Sequence, residues 1–220
     1  MSNQIIEADT QRAELMHAHA LTYRNVGAAL ALPNRLGYDS RSQTMARICR
    51  REQLLVLDAL HWTAVPSSIF GRPRLRKVIH VGCGAAPDTL DNLLCPDSLL
   101  SVDAAVAVDV REAAAVEACN LLELVHNTPV TPVGRAGQFV DYAGADLTVV
   151  SLFTADKAKT VRRWVQTVGK GMMVLRIQDA DDHECIELLN SCLWSNRCHI
   201  AGRAEHAESD LDFVSIMVQK

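Results

Sequence analysis

Two glycines one residue apart, Gly82 and Gly84, stand where a short apolar run ends and a helical pattern begins, in Val78-Ile79-His80-Val81-Gly82-Cys83-Gly84-Ala85-Ala86-Pro87-Asp88-Thr89-Leu90. A strand entering such a turn brings bare main chain to the carboxyl edge of a sheet. Glycine reaches backbone conformations closed to other residues, and it lacks the Cβ that would hold a ligand away. Asp109, followed by Val110, closes the next apolar run, residues 104–108. A carboxylate there can accept two hydrogen bonds from a ribose diol, and it can equally cap a helix starting at Arg111; the two roles are compatible. Gly82, Cys83, Gly84, Ala85, Pro87, Asp109 and Val110 are therefore the candidate lining of a nucleoside site. A dinucleotide fingerprint wants a third glycine where this chain has Ala85, Ala86 and Pro87. Pro87 suits the first turn of a helix but leaves fewer N–H groups for a pyrophosphate. S-adenosylmethionine has no phosphate, so the turn favours it over a dinucleotide.

Elements of two kinds must position this turn. Before residue 72 the chain reads as helical: residues 4–32, then a second helix from Ser40 or Ser42 to about Leu60 with Met45, Ile48, Leu55, Val56 and Ala59 as its apolar stripe. From Lys77 onward short apolar runs alternate with helical stretches. Strands are expected at residues 78–81, 104–108, 130–133, 147–151 and 172–177, and helices at 89–94, 111–126, 156–167 and 181–192. Two last strands, 198–201 and 213–218, would flank a polar connection over 205–210. This layout predicts an α/β protein of the Rossmann-like class I methyltransferase fold, a mostly parallel sheet with a C-terminal antiparallel hairpin. Residues 1–72 form an N-terminal helical cap and residues 73–220 the cofactor-binding domain.

Composition narrows the function classes. The 220 residues are 49% hydrophobic and 22% charged, which allows a sizeable core. A net charge of −4 argues against nucleic acid as the main partner. The basic cluster Arg72, Arg74, Arg76 and Lys77 reads as a solvated linker. Seven cysteines, an odd number with no CxxC pair, fit a reduced, cytoplasmic setting. Cys185, Cys192, Cys198 and His199 match no common zinc spacing, so no metal is expected. No apolar run reaches the roughly 20 residues of a membrane span. The expected partner is a small-molecule substrate, with a homodimer left open.

The stretch from Gly82 through Leu90 resembles the Gly-Ser-Gly-Pro-Leu-Pro-Leu-Thr motif of nicotianamine synthases and their bacterial relatives in opine-metallophore pathways. Asp156-Lys157-Ala158-Lys159, then Gly171 and Arg176, resemble that family's Glu-Lys-x-Lys helix and the glycine and arginine that follow it. Tyr38 ahead of a helix carrying Glu52 is a looser third match. The resemblance spans roughly residues 38–180. It implies an enzyme that binds S-adenosylmethionine, moves its 3-amino-3-carboxypropyl group and releases methylthioadenosine. Ring closure within one cofactor molecule would give azetidine-2-carboxylate. The chain departs from the family in being short, in having Cys83 and Asp88 where Ser and Leu are expected, and in Ile177-Gln178-Asp179-Ala180 after Arg176. Shortness favours a small acceptor, or none.

A sulfonium is already a good leaving group, so the protein must mainly hold an amine in line with the chosen carbon, about 3–3.5 Å away. Arg176, at a strand end, is the candidate to grip the methionyl carboxylate or to form a salt bridge. Ser151 would bond the amino group or simply end its strand, and Phe153 follows it. Tyr38 and Glu52 are the cap candidates for substrate contact and proton acceptance. Asp141 and Tyr142 would reach adenine or lie in a loop. Three functions compete: aminocarboxypropyl transfer or cyclisation, methyl transfer to a small molecule, and a non-catalytic cofactor-binding subunit.

Overall fold

Parallel strands covered by helices on both sides must be apolar on both faces, and the central strands here meet that demand. A computed structural model describes residues 40–62, 72–178, 182–194, 197–208 and 211–220. The elements are α1 (Ser40–Trp62), β1 (Arg74–Leu75), β2 (Val78–Val81), α2 (Asp88–Leu94), β3 (Ser101–Val102), β4 (Ala105–Asp109), α3 (Glu112–Val125), β5 (Val130–Gly134), a 3-10 turn (Gly137–Phe139), β6 (Leu147–Val150), α4 (Lys157–Thr167), β7 (Met172–Ile177), α5 (His183–Trp194), β8 (His199–Glu208) and β9 (Leu211–Gln219). Every residue of β2, β6 and β7 is buried.

The main sheet has seven strands in the order β5-β4-β2-β6-β7-β9-β8. β9 runs antiparallel to β7 and β8; the β5–β7 portion is parallel throughout. The chain winds outward from β2 through β4 to β5, then returns to lay β6 on the other side of β2. Strand order therefore reverses between β2 and β6, the place where open α/β sheets bind ligands at their carboxyl ends. β5 is an edge strand, which accommodates Pro132 and its missing N–H.

Alternation along each strand makes two cores. Val78, Ala105, Ala107, Leu147, Val149, Val174 and Met217 meet α1, α2 and α3 on one face. Ile79, Val81, Val108, Val150, Met173, Leu175 and Ile216 meet α4 and α5 on the other, around the fully buried Trp164 and Tyr142. α1 is part of the first core: Val56, Ala59 and Leu60 belong to it. Gln53 stitches α1 to the α2–β3 connection, with its Oε1 accepting from Leu99 N at 2.7 Å and its Nε2 donating to Asn92 O at 3.2 Å.

The order of the main strands and helices matches the expectation, and five details do not. Asp109 is the last residue of β4 rather than the residue after it, and α2 begins at Asp88 with Pro87 as its N-cap. The hairpin strands are longer than expected: β8 runs to Glu208 and β9 starts at Leu211, so most of the polar run 205–210 is strand. Exposed Arg203, Glu205 and Ala207 alternate there with inward Gly202, Ala204 and buried His206, the period of a half-buried strand. The short pair β1–β3 was not anticipated. Nor is the basic cluster a bare linker. Arg74 Nε meets Asp103 Oδ1 at 2.6 Å, Arg76 Nη2 meets Asp146 Oδ1 at 2.8 Å, and Arg72 Nη1 donates to Pro96 O at 2.6 Å and Ser98 O at 3.0 Å. The first helix, residues 4–32, and Tyr38 lie outside the described residues.

Candidate functional site

Two local devices at the carboxyl ends of β2, β4 and β6, and a buried polar layer beside them, make up the site. The first is the glycine turn. Gly82 has φ 74° and Gly84 φ 61°, in the left-handed region that favours glycine. A Cβ on Gly82 would fall 2.5 Å from Thr154 Oγ1 and 3.3 Å from Ser151 Cβ, so this glycine lets the turn close against the segment following β6. A Cβ on Gly84 would meet nothing nearer than 4.0 Å, the Ala86 nitrogen. Among the described residues, the bare flank of Gly84 thus faces open space.

The second device is Asp109. Its Oδ2 accepts from Gly84 N at 2.9 Å and its Oδ1 from Arg111 N at 3.0 Å. Each carboxylate oxygen retains a lone pair for a further donor. Gly82 N and Cys83 N both donate to Val108 O, at 2.8 and 3.0 Å. The end of β4 therefore fixes the whole turn. Val110, 73% exposed, and Phe153, 41% exposed, are large apolar side chains left uncovered at this rim. The Cys83 side chain points into the first core; burial, and then the Asp109 charge, hold its thiol protonated, so it offers the site its backbone only. Ala85 is buried against Ala114 of α3, and Pro87 is buried as well.

Beside these two devices is the layer of polar side chains on the α1 face of the sheet. Register aligns Arg176 of β7 with Ser215 of β9, and Ser151 follows the β6 residue paired with Leu175. Arg176 grips Glu52 of α1 with both arms of its fork, Nε to Oε1 and Nη2 to Oε2, each at 2.8 Å. Its Nη1 donates to Thr89 Oγ1 at 3.0 Å, and Nη2 lies 3.8 Å from Cys49 Sγ. Ser215 Oγ donates to Glu52 Oε1 at 2.6 Å; having used its one proton, it accepts from His206 Nε2 at 2.9 Å. Glu52 and Arg176 are 5% and 3% exposed, so neither charge is shared with solvent. Burial raises the Glu52 carboxyl, but the Arg176 charge and its hydrogen bonds outweigh burial and leave it below the ordinary carboxylate value. Burial likewise opposes the charge on Arg176, and Glu52 more than restores it. Burial pushes the Cys49 thiol up to about 12.

Glu52 and Arg176, both candidates from the sequence, are joined to each other. Ser151 borders the turn. Asp141 and Tyr142 serve elsewhere: Asp141 Oδ1 accepts from Ala143 N at 3.0 Å, and Tyr142 sits in the second core with its hydroxyl donating to Gly137 O at 2.8 Å. Lys157 pairs with Asp182 at 2.6 Å and Lys159 with Asp156 at 3.2 Å. The sequence reading missed His80, Thr89, Thr154, His206 and Ser215. His80 carried a signal, a polar residue inside an otherwise apolar strand two places before the first glycine. Among the described residues no group of His, Cys, Asp and Glu is arranged to hold a metal ion, and no helix is long and apolar enough to cross a membrane.

No family model matches the sequence, and no curated protein does. Solved structures do match. Magnesium protoporphyrin IX methyltransferase of Synechocystis PCC 6803, solved with S-adenosylhomocysteine, aligns with a TM-score of 0.57 over 96% of this chain and 99% of its own, at 12% identity. This chain has the class I S-adenosylmethionine-dependent methyltransferase fold. The N-methyltransferase NodS of Bradyrhizobium japonicum WM9 aligns with a TM-score of 0.53, 15% identity, and coverage of 77% of this chain and 94% of that one. A Listeria monocytogenes protein assigned to the class I methyltransferases gives 0.52 at 14% identity over 79% of this chain, which spans 59% of that protein's length.

Two predictions follow from the buried layer. Arg176→Met strands the Glu52 carboxylate and is expected to cost about 3–5 kcal/mol in urea unfolding, whereas Glu52→Leu combined with Arg176→Met costs much less than the two single changes summed. On this face of the sheet, acid weakens the fold through Glu52 and His80. Glu52 titrates below its unfolded value of 4.5, so its contribution is complete above that pH and is lost beneath it. His80, lowered by burial and by Arg176 from 6.5 to about 3, is held neutral; its contribution is complete above pH 6.5 and drains as pH falls towards 3. Urea midpoints measured from pH 7 to 4.5 should fall less steeply for His80→Gln than for the unmodified chain.

Proposed function

We propose that the chain binds S-adenosylmethionine across Gly82 and Gly84 and uses its 3-amino-3-carboxypropyl group. The group passes to a small amine or closes on its own nitrogen to give azetidine-2-carboxylate, and methylthioadenosine is released. The observation that carries the binding is the open flank of Gly84 beside the Asp109 carboxylate, at the point where strand order reverses. The preference for this group over the methyl group rests on the motif resemblance to nicotianamine synthases.

When bound, the sulfonium supplies the electrophile: an amine lone pair forms the N–Cγ bond, the Cγ–S pair leaves to sulfur, and the nitrogen then sheds a proton. The residues of the chain hold and enclose the reactant. Asp109 accepts from the ribose hydroxyls. Val110 and Phe153 supply apolar surface for the base and the hydrocarbon tail. Glu52 is a poor proton acceptor, because Arg176 and Ser215 already occupy its oxygens. Arg176 acts as a support that ties Thr89, one residue into α2, to β7. The substrate is a small molecule, and the proposed setting is the cytoplasm.

Methyl transfer to a small molecule is the second reading, favoured by the solved neighbours, which include a porphyrin methyltransferase and an N-methyltransferase.

Incubation with S-adenosylmethionine, first alone and then with an added small amine, followed by mass spectrometry, separates these readings. Methylthioadenosine with azetidine-2-carboxylate is the expected result for cyclisation. S-adenosylhomocysteine appearing only with an added acceptor would establish methyl transfer. Gly84→Val fills the open flank and is expected to lower affinity for the cofactor at least 100-fold in calorimetry, while the left-handed backbone there costs about 1–2 kcal/mol of stability.

A further inference from the structure

His80 belongs to β2, and Ser151 follows β6, the two strands between which the order reverses. His80 Nε2 and Ser151 Oγ lie 2.7 Å apart, and the imidazole is 2% exposed. Its Nδ1 is buried and, among the described residues, has no hydrogen-bond partner. These facts fix the tautomer. A neutral imidazole carries one N–H and one lone pair. With the proton on Nδ1, a buried donor would be stranded. With the proton on Nε2, the donor is satisfied by Ser151 and only a lone pair is left over, and buried orphan donors are the rarer of the two in folded proteins. Ser151 Oγ is then an acceptor towards His80, and its own proton is released for another partner. Among the described residues it has none. Ser151 is half-buried and stands against the glycine turn, its Cβ 3.3 Å from where a Cβ on Gly82 would be.

We propose that His80 is a positioning residue that turns the Ser151 hydroxyl into a fixed hydrogen-bond donor, and that its acceptor is the carboxylate of the amino-acid portion of the bound ligand. This rests on the cofactor reading above and sharpens it. A hydroxyl so held points its one proton away from the imidazole, where a carboxylate can accept it; an ammonium would engage only its remaining lone pair. Arg176 is 3% exposed and is engaged by Glu52, Thr89 and the Cys49 sulfur, whereas Ser151 is half-buried with a proton to offer.

The test has two parts. Long-range proton–nitrogen NMR on the 15N-labelled full chain reads the His80 tautomer directly: the Nε2–H form is expected, and an Nδ1–H form would overturn the proposal. Calorimetry then compares S-adenosylmethionine, its decarboxylated analogue and methylthioadenosine. Ser151→Ala should weaken S-adenosylmethionine about 10-fold or more and leave the other two within 2-fold. His80→Leu should behave like Ser151→Ala, whereas His80→Gln, which keeps a donor near the Nε2 position, should restore most of the affinity. Equal losses for all three ligands in Ser151→Ala would refute the carboxylate assignment. Failure of the unmodified chain to bind any of the three would instead refute the cofactor reading beneath it, and the carboxylate assignment with it.

Discussion

A guanidinium with 3% exposure must be answered inside the protein, and the answer given to Arg176 organises much of the molecule. Taking its charge out of water is costly unless a carboxylate meets it with good geometry and the remaining donors are satisfied. Glu52 supplies the carboxylate from α1, Thr89 takes the third contact from α2, and Ser215 with His206 completes the chain from β9 and β8. One buried charge thereby ties α1, the helix after the glycine turn and the terminal hairpin to a single central strand. α1 approaches β8 so closely that a Cβ on Gly202 would lie 3.0 Å from Leu55 Cδ2.

The same layer lies buried on the α1 face of the sheet. Sheet alternation sends residues 80, 151, 176 and 215 to one face, and the strand register brings the last three abreast. Above them the chain leaves β2 through two left-handed glycines. One is demanded by contact with Thr154, and the other has space beside it. The sheet therefore presents packed polar groups below, open main chain above, and exposed apolar side chains at the rim. That combination suits a ligand with a ribose, an amino-acid tail and no phosphate.

Much of the fold was legible because its strands are short apolar runs between helical stretches, a pattern that leaves few arrangements once parallel pairing is assumed. The glycine turn and Asp109 were legible because their chemistry is local. What was not legible depended on distance. Tyr142 reads as a loop aromatic until the second core closes over it. Arg74 and Arg76 stay largely exposed, as read, but their partners Asp103 and Asp146 lie 29 and 70 residues away. Glu52 and Arg176 each read as a site residue, and their attachment to one another spans 124 residues. No spacing rule connects such positions. His80 was the missed opportunity, since a lone polar residue in a buried strand must have a partner or a reason to lack one.

The most direct test of the central claim is a crystal structure of the full chain grown with S-adenosylhomocysteine. The ribose hydroxyls are expected on the Asp109 carboxylate, the thioether passing Gly84, and the amino-acid tail directed to Ser151. Density for the ligand anywhere else, or a Gly84 flank that stays vacant at saturating ligand, would contradict the account.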